Sequence, residues 1–293
     1  MNDKFPIYYE TSGDPNNPCI ILTMGIGGQL IHWPQNLIKG LSDQGFFVVI
    51  YDNRDVGLSK HYDHLKTPEI HEAIALAMAG QPVQLPYLLD DMAADVIALM
   101  DELDIDKAHI VGISMGGIIA QLIAIHYPER VLRLICMATT SGDPTLPPAK
   151  PEVNAFFSSP KRKSDNIGDY VNDKLALYKI YNHPDFFDEQ AIRELHTQAY
   201  HRDHSTGGFK RQLLAMMAAP PRVESLKKLK IPTLIIHGKY DPVFSIEHGK
   251  NLADSIENSN IVILEKLGHG LPEQLSGQIT QSINDFIKLR GTS

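Results

Sequence analysis

Cysteine is scarce in this chain. There are two, Cys19 and Cys136, each inside an apolar run, CIILTM and RLICMA. Thiols so placed read as reduced and buried, and a disulfide framework is not indicated. Positive charge is also short. Lys and Arg number 27 against 35 Asp and Glu, a formal net charge of −8 at pH 7. That balance argues against a nucleic-acid binder, which needs a basic surface to displace counterions from phosphates. Long apolar runs are missing too. The longest candidate, Val111–Ile125, is broken by Gly112, Ser114, Gly116, Gly117 and Gln121, whereas a membrane span needs about 18 or more consecutive apolar residues. The N-terminal MNDKFPIYYE lacks the basic-then-apolar order of a secretory signal. The expected compartment is a reduced cytoplasm, and no internal repeat or low-complexity tract is visible.

What is present is apolar material in short, regular packets. Hydrophobic residues make up 43% of 293 residues, enough for a large core in one α/β domain carrying an insertion. Ile20–Met24, Phe46–Tyr51, His109–Ile113 and Val131–Ala138 read as strands. Trp33–Gln44, Leu88–Leu103 and Met115–His126 read as helices between them, the second with Leu89, Met92, Ala93, Val96, Leu99, Met100 and Leu103 on one face. From Ser141 to Ser225 the strand alternation stops. Pro144, Pro147, Pro148 and Pro151 open this stretch, and helical periods follow at Tyr170–Tyr181, Glu189–Tyr200 and Phe209–Ala218. The alternation resumes with Thr233–His237, Ser245–Ser255, Ile261–Leu264 and Leu275–Leu289. Strands separated by helices predict parallel pairing, and their near-continuous apolar character predicts a sheet covered on both faces. Residues 1–140 and 226–293 are then the core domain, and 141–225 a helical cap over the strand ends.

The most informative stretch is HIVGISMGG, His109–Gly117. It places Gly112-Ile113-Ser114-Met115-Gly116 between an apolar strand and an apolar helix. A serine on a sharp strand-to-helix turn needs a strained backbone with positive φ. Side chains two residues to either side would collide there, so glycine is required on both flanks. The alternative is a glycine-rich helix start with an ordinary capping serine. In its setting of strand, turn and helix, the motif resembles the nucleophile elbow of the α/β-hydrolases, and Ser114 is the candidate nucleophile.

That resemblance implies a chain order of serine, acid, histidine. Asp241 follows the apolar run TLIIH in HGKYDP, and its other reading is a helix cap near Ser245. Asp143, in TTSGDP, is the competing acid. His269 follows IVILE between Gly268 and Gly270, and an imidazole suits proton transfer near neutral pH. His201 and His204 form H-x-x-H without an apparent third ligand, and His61 and His64 lie in a polar loop. His32, beside the first strand's loop, is a pocket candidate. Thr23-Met24-Gly25-Ile26-Gly27-Gly28 lets backbone approach a ligand. The N–H groups of Ile26 and Met115 are the expected oxyanion donors, with Gly25 or Gly27 as substitutes for Ile26.

The whole chain is similar to α/β-hydrolase fold proteins, nearest the carboxylesterase branch that includes aclacinomycin-type methyl esterases. MGIGGQLIHWP, YDNRDVGLS, HIVGISMGG and HGKYDPV carry the likeness. Two departures stand out. Many relatives have His-Gly where this chain has Met24-Gly25, and Gly after Arg54 where this chain has Asp55. The resemblance implies a mostly parallel sheet flanked by helices, and a serine hydrolase that cleaves carboxylic esters through Ser114, His269 and Asp241. A small-molecule ester substrate, no metal or organic cofactor, no nucleic acid and a monomer or homodimer follow as expectations. The pocket should be apolar, with Phe156, Phe157, Phe186, Phe187, Met216 and Met217 from the cap and Gly25, Gly27 and His32 from the core. Ile70–Ala79 reads either as packing on the core or as a lid. Similar triads also serve carbon–carbon bond hydrolases, hydroxynitrile lyases and cofactor-free haloperoxidases, and a ligand receptor that kept the fold is the non-enzymatic alternative.

Overall fold

The computed structural model describes residues 5–158, 166–205 and 207–289. Its strands are β1 (Tyr9–Ser12), β2 (Cys19–Thr23), β3 (Phe47–Tyr51), β4 (Ala108–Ile113), β5 (Val131–Met137), β6 (Thr233–Gly238) and β7 (Ser259–Leu264). They form one sheet in the order β1-β3-β2-β4-β5-β6-β7. β1 is antiparallel to β3, and every other pairing is parallel. All residues of β2, β3, β4 and β6 are buried, as continuous apolar strands in a doubly covered sheet should be. The edge strands β1 and β7 are partly exposed.

Alternate residues of each central strand face opposite layers. Ile21, Val49 and Ile110 pack with α3 (Leu89–Glu102) and α4 (Met115–His126). Ile20, Val48 and Val111 pack with α1 (Gln35–Asp43) and α11 (Ser276–Lys288). The remaining core helix, α10 (Ile246–Ser255), joins β6 to β7. Cys19 and Cys136 are free and buried. Among the described residues no helix is long and apolar enough to cross a membrane.

Between β5 and β6 come α5 (Pro151–Ser158), α6 (Ile167–Tyr181), α7 (Glu189–Arg202), α8 (Gly207–Ala218) and α9 (Val223–Leu226). Polar links hold this segment to the loop after β3. Arg202 Nη2 donates to Asp52 Oδ2 at 2.6 Å. Arg211 makes two 2.7 Å bonds to Asp55, and both side chains are buried. Asp55 has φ +70°, a left-handed conformation that favours glycine. Its carboxylate is what compensates: burial opposes ionisation there, but Arg211 and the Tyr62 N–H outweigh it and hold the pKa below the usual carboxylate value. At the return of the segment, Arg222 donates to the Thr140 carbonyl at 2.9 Å and to Gln121 Oε1 at 3.0 Å.

The sequence reading departs from the structure in three places. The helix expected from Trp33 starts at Gln35, after a separate 3-10 turn at Leu30–His32. Pro34 occupies its cap position, so Trp33 lies before the helix. The four-residue β1 is an addition to the expected strands, a short edge strand whose residues carry little apolar signal. The proline-rich opening of the segment contains α5, with Pro151 as its first helical residue, the position where a missing N–H costs nothing. The apolar run at 70–79 forms α2 (Ile70–Met78). It lies against α8; Ala73 is buried while Ile74 and Met78 are exposed.

Candidate active site

Ser114 sits at the tip of the turn between β4 and α4, with φ +55° and ψ −121°. Close approach makes that turn a glycine structure. A Cβ on Gly112 would strike the Gly116 carbonyl, and one on Gly116 would strike the Thr23 carbonyl. The strained residue is pinned on both sides. Its N–H donates to Met137 O at 3.0 Å. Its carbonyl accepts from Thr139 Oγ1 at 2.7 Å and from Gly117 N at 2.9 Å.

The loop after β7 carries His269 to this turn. Its Nε2 lies 3.0 Å from Ser114 Oγ. Its Nδ1 faces Asp241, 2.9 Å from Oδ2 and 3.1 Å from Oδ1. Asp241 Oδ1 also accepts from Val243 N at 2.8 Å and Phe244 N at 3.0 Å, so the carboxylate is aimed by its own turn. A carboxylate accepts only, so the Nδ1 beside it carries the proton and Nε2 offers its lone pair to the hydroxyl. All three side chains are buried, at 8% or less exposure. Such an arrangement can withdraw the serine proton as Oγ attacks, and hold the resulting imidazolium against a buried negative charge.

The histidine loop also rests on the helical segment. His269 N donates to the Tyr181 carbonyl at 2.9 Å, and a Cβ on Gly268 would strike that same carbonyl. The rings of Tyr181 and Phe244 stand edge-on to the imidazole at 5.0 and 5.6 Å. Burial and the nearby Asp241 charge raise the Tyr181 phenol pKa, so it stays protonated.

Gly25 approaches the nucleophile directly: a Cβ there would lie 3.3 Å from Ser114 Cβ. Gly27 N donates to Gln212 Oε1 at 2.8 Å, so Gly27 does not serve as the substitute oxyanion donor the sequence allowed. Met115 N is in the first turn of α4, where N–H groups lack intrahelical acceptors. His32 packs against His196 of α7 at 5.1 Å. Met217 is 49% exposed, while Met216 packs toward the core; neighbours on a helix point different ways. Phe186 packs against the core and Phe187 within the helical segment. The side chain of Phe157 lies outside the described residues.

Asp143 does not join the group. Its carboxylate accepts from Thr145 N at 2.9 Å and Thr145 Oγ1 at 2.7 Å, a local turn. His201 and His204 are exposed, and His204 stacks on Tyr200 at 4.3 Å. Among the described residues no three His, Cys, Asp or Glu gather as a metal site would.

Residues 18–274 match the family model described as alpha/beta hydrolase fold. The chain belongs to that family. This α/β hydrolase is 28% identical to a rhodomycin D methylesterase from a Streptomyces species, over 92% of this chain and 91% of the relative. It is 29% identical to a 3-oxoadipate enol-lactonase from Acinetobacter baylyi, over 88% and 84%. An enol-lactonase from Burkholderia xenovorans superposes with a TM-score of 0.71 at 22% identity, covering 96% of both chains.

Several residues around the site were not visible in the α/β hydrolase's sequence: Tyr181, Phe244, Gln212, Thr139 and His196. Each lies far along the chain from the group it touches, or differs in no local way from a core residue. The one available signal was the paired glycines of 268 and 270, which mark a close approach without naming the partner.

Proposed function

We propose that the chain is a carboxylic-ester hydrolase working through an acyl-enzyme. The observation that carries this reading is the His269 imidazole, held between Ser114 Oγ at 3.0 Å and Asp241 Oδ2 at 2.9 Å. The curated relatives named above, a methylesterase and an enol-lactonase, support it. Ser114 Oγ attacks the ester carbonyl while His269 Nε2 takes its proton, and Asp241 stabilises the imidazolium. The oxyanion is received by the N–H of Met115, at the start of α4 where partial positive charge gathers, and by the N–H of Ile26 in the loop after β2. Collapse of the intermediate expels the alcohol, which takes the proton from His269. Water, deprotonated by the same imidazole, then releases the acid and restores Ser114. The helices of 141–225 act as the cap that selects the substrate, because they supply Tyr181 at the imidazole and Gln212 at the glycine loop.

The test is labelling by a fluorophosphonate together with turnover of p-nitrophenyl esters of several chain lengths. Labelling that disappears in Ser114→Ala, with measurable ester turnover, is expected. Neither labelling nor turnover in the unaltered chain overturns the proposal.

A further inference from the structure

His196 is 2% exposed, yet among the described residues neither of its ring nitrogens has a hydrogen-bond partner. Buried side-chain nitrogens are nearly always paired, so two bare ones on a single ring call for an occupant. Its neighbours are rings: His32 at 5.1 Å, Tyr178 at 5.1 Å and Tyr170 at 6.2 Å.

His32 completes a donor and acceptor set. The Gln29 N–H donates to its Nδ1 at 2.9 Å. The same nitrogen lies 3.1 Å from the Gln29 carbonyl, so the Gln29 backbone engages Nδ1 in either tautomer and leaves Nε2 for another group. Both imidazoles are neutral: burial pushes His32 down to about 4 and His196 to about 2. A neutral His196 offers one N–H and one lone pair. The two rings thus supply a donor and an acceptor for an oxygen that can also do both.

The pair lies next to the candidate active site. Tyr178 and Tyr181 are three residues apart on α6, so they share a face. Tyr181 meets His269 at 5.0 Å and Tyr178 meets His196 at 5.1 Å. The two contacts are therefore offset by about one helical turn, a rise of roughly 4.5 Å. His32 itself closes the short turn that follows the Gly25–Gly28 loop.

We propose that His32 and His196 form a polar subsite between the glycine loop and α7, which binds a hydroxyl group on the ester substrate, several atoms from the scissile carbonyl. This deepens the esterase reading and rests on it. Binding to Ser114→Ala separates the two, because it needs no turnover. The probes are methyl 4-hydroxybenzoate against methyl benzoate, and 4-hydroxybenzyl acetate against benzyl acetate. In at least one pair the hydroxylated ester is expected to bind about tenfold or more tightly, since a site built to pair a hydroxyl rejects the analogue lacking it. Adding His196→Phe should bring that ratio to about one. Imidazole nitrogen resonances of His196 in the Ser114→Ala protein provide the second measurement, independent of whether the Phe variant folds. They should shift with the hydroxylated ester and not with its partner. Equal binding within both pairs, a ratio untouched by His196→Phe, or unmoved His196 resonances (a site filled only by water) overturns the subsite.

Discussion

The sheet end that carries Ser114 and the helical segment between β5 and β6 are held by different physics. Around Ser114 the backbone itself is the constraint. Gly112 and Gly116 leave no room for a Cβ, and the Ser114 carbonyl and N–H are both bonded. The helical segment has a small apolar core of its own, Val171, Leu175 and Ile192. Besides the apolar contacts of Ala215, Met216 and Phe186 with the core, polar side chains tie it to the rest of the fold: Arg202 to Asp52, Arg211 to Asp55, Gln212 to Gly27 and Arg222 to Thr140. The nucleophile turn is thus marked locally by its two glycines and held by the ends of β2 and β5, while the segment relies on charges and amides that find partners across the fold.

The sharpest break in that comparison is Ser114→Ala. It should lower ester turnover on the order of 10⁵–10⁶-fold and leave the melting temperature nearly unchanged, because only a hydroxyl is removed. Steady-state kinetics beside calorimetry check both halves. Asp241→Asn follows, with a loss of about 10⁴-fold expected by analogy with other triads. Asp143→Asn, whose carboxylate closes a local turn, should retain most activity. If Asp143→Asn were the more damaging, the acid would be misassigned.

On the helical side, Arg211→Met leaves the buried Asp55 carboxylate without its cation. Breaking a buried pair in this way costs about 3–5 kcal/mol. Denaturant unfolding should show that loss, and KM should rise more than kcat falls if the segment shapes the pocket. A wild-type midpoint would show that the ion pair does not hold the segment.

Acid should act on four histidines as a group. His32, His109 and His196 are lowered to about 4, about 4 and about 2, and His237 is lowered as well, burial being the main cause in each. The unfolded chain binds these protons near pH 6.5 and the folded chain does not, so stability is full above that value. It should fall as pH drops from about 6.5 toward 4. His196→Phe should flatten that slope by about one proton, read as the pH dependence of Tm. An unchanged slope would place the proton uptake elsewhere. The smallest effect belongs to Met217→Ala, half exposed on α8, where about 0.5 kcal/mol or less is expected.

The alternation of apolar packets, the glycine pair around Ser114 and the glycines beside His269 are local patterns. The helix over Met115–His126 begins and ends at the expected residues, and the central strands lie within a residue or two of their apolar runs. β1 and α5 were hidden for opposite reasons, one too short to show a period and the other masked by a proline it tolerates. Asp55 could be seen as a departure from its relatives but not explained, since Arg211 stands 156 positions away.

The amino-acid sequence by itself determined the alternating α/β order, the demand for a left-handed serine at 114 and the family. Each rests on spacing that neighbours along the chain enforce. Tertiary structure alone decided that Asp241 rather than Asp143 faces His269, that Tyr181 carries the histidine loop, and that Gln212 occupies the Gly27 N–H. It also brought His32, after the glycine loop, and His196, on α7, to 5.1 Å. These are meetings between distant residues, and no local periodicity encodes which donor finds which acceptor once the chain has closed.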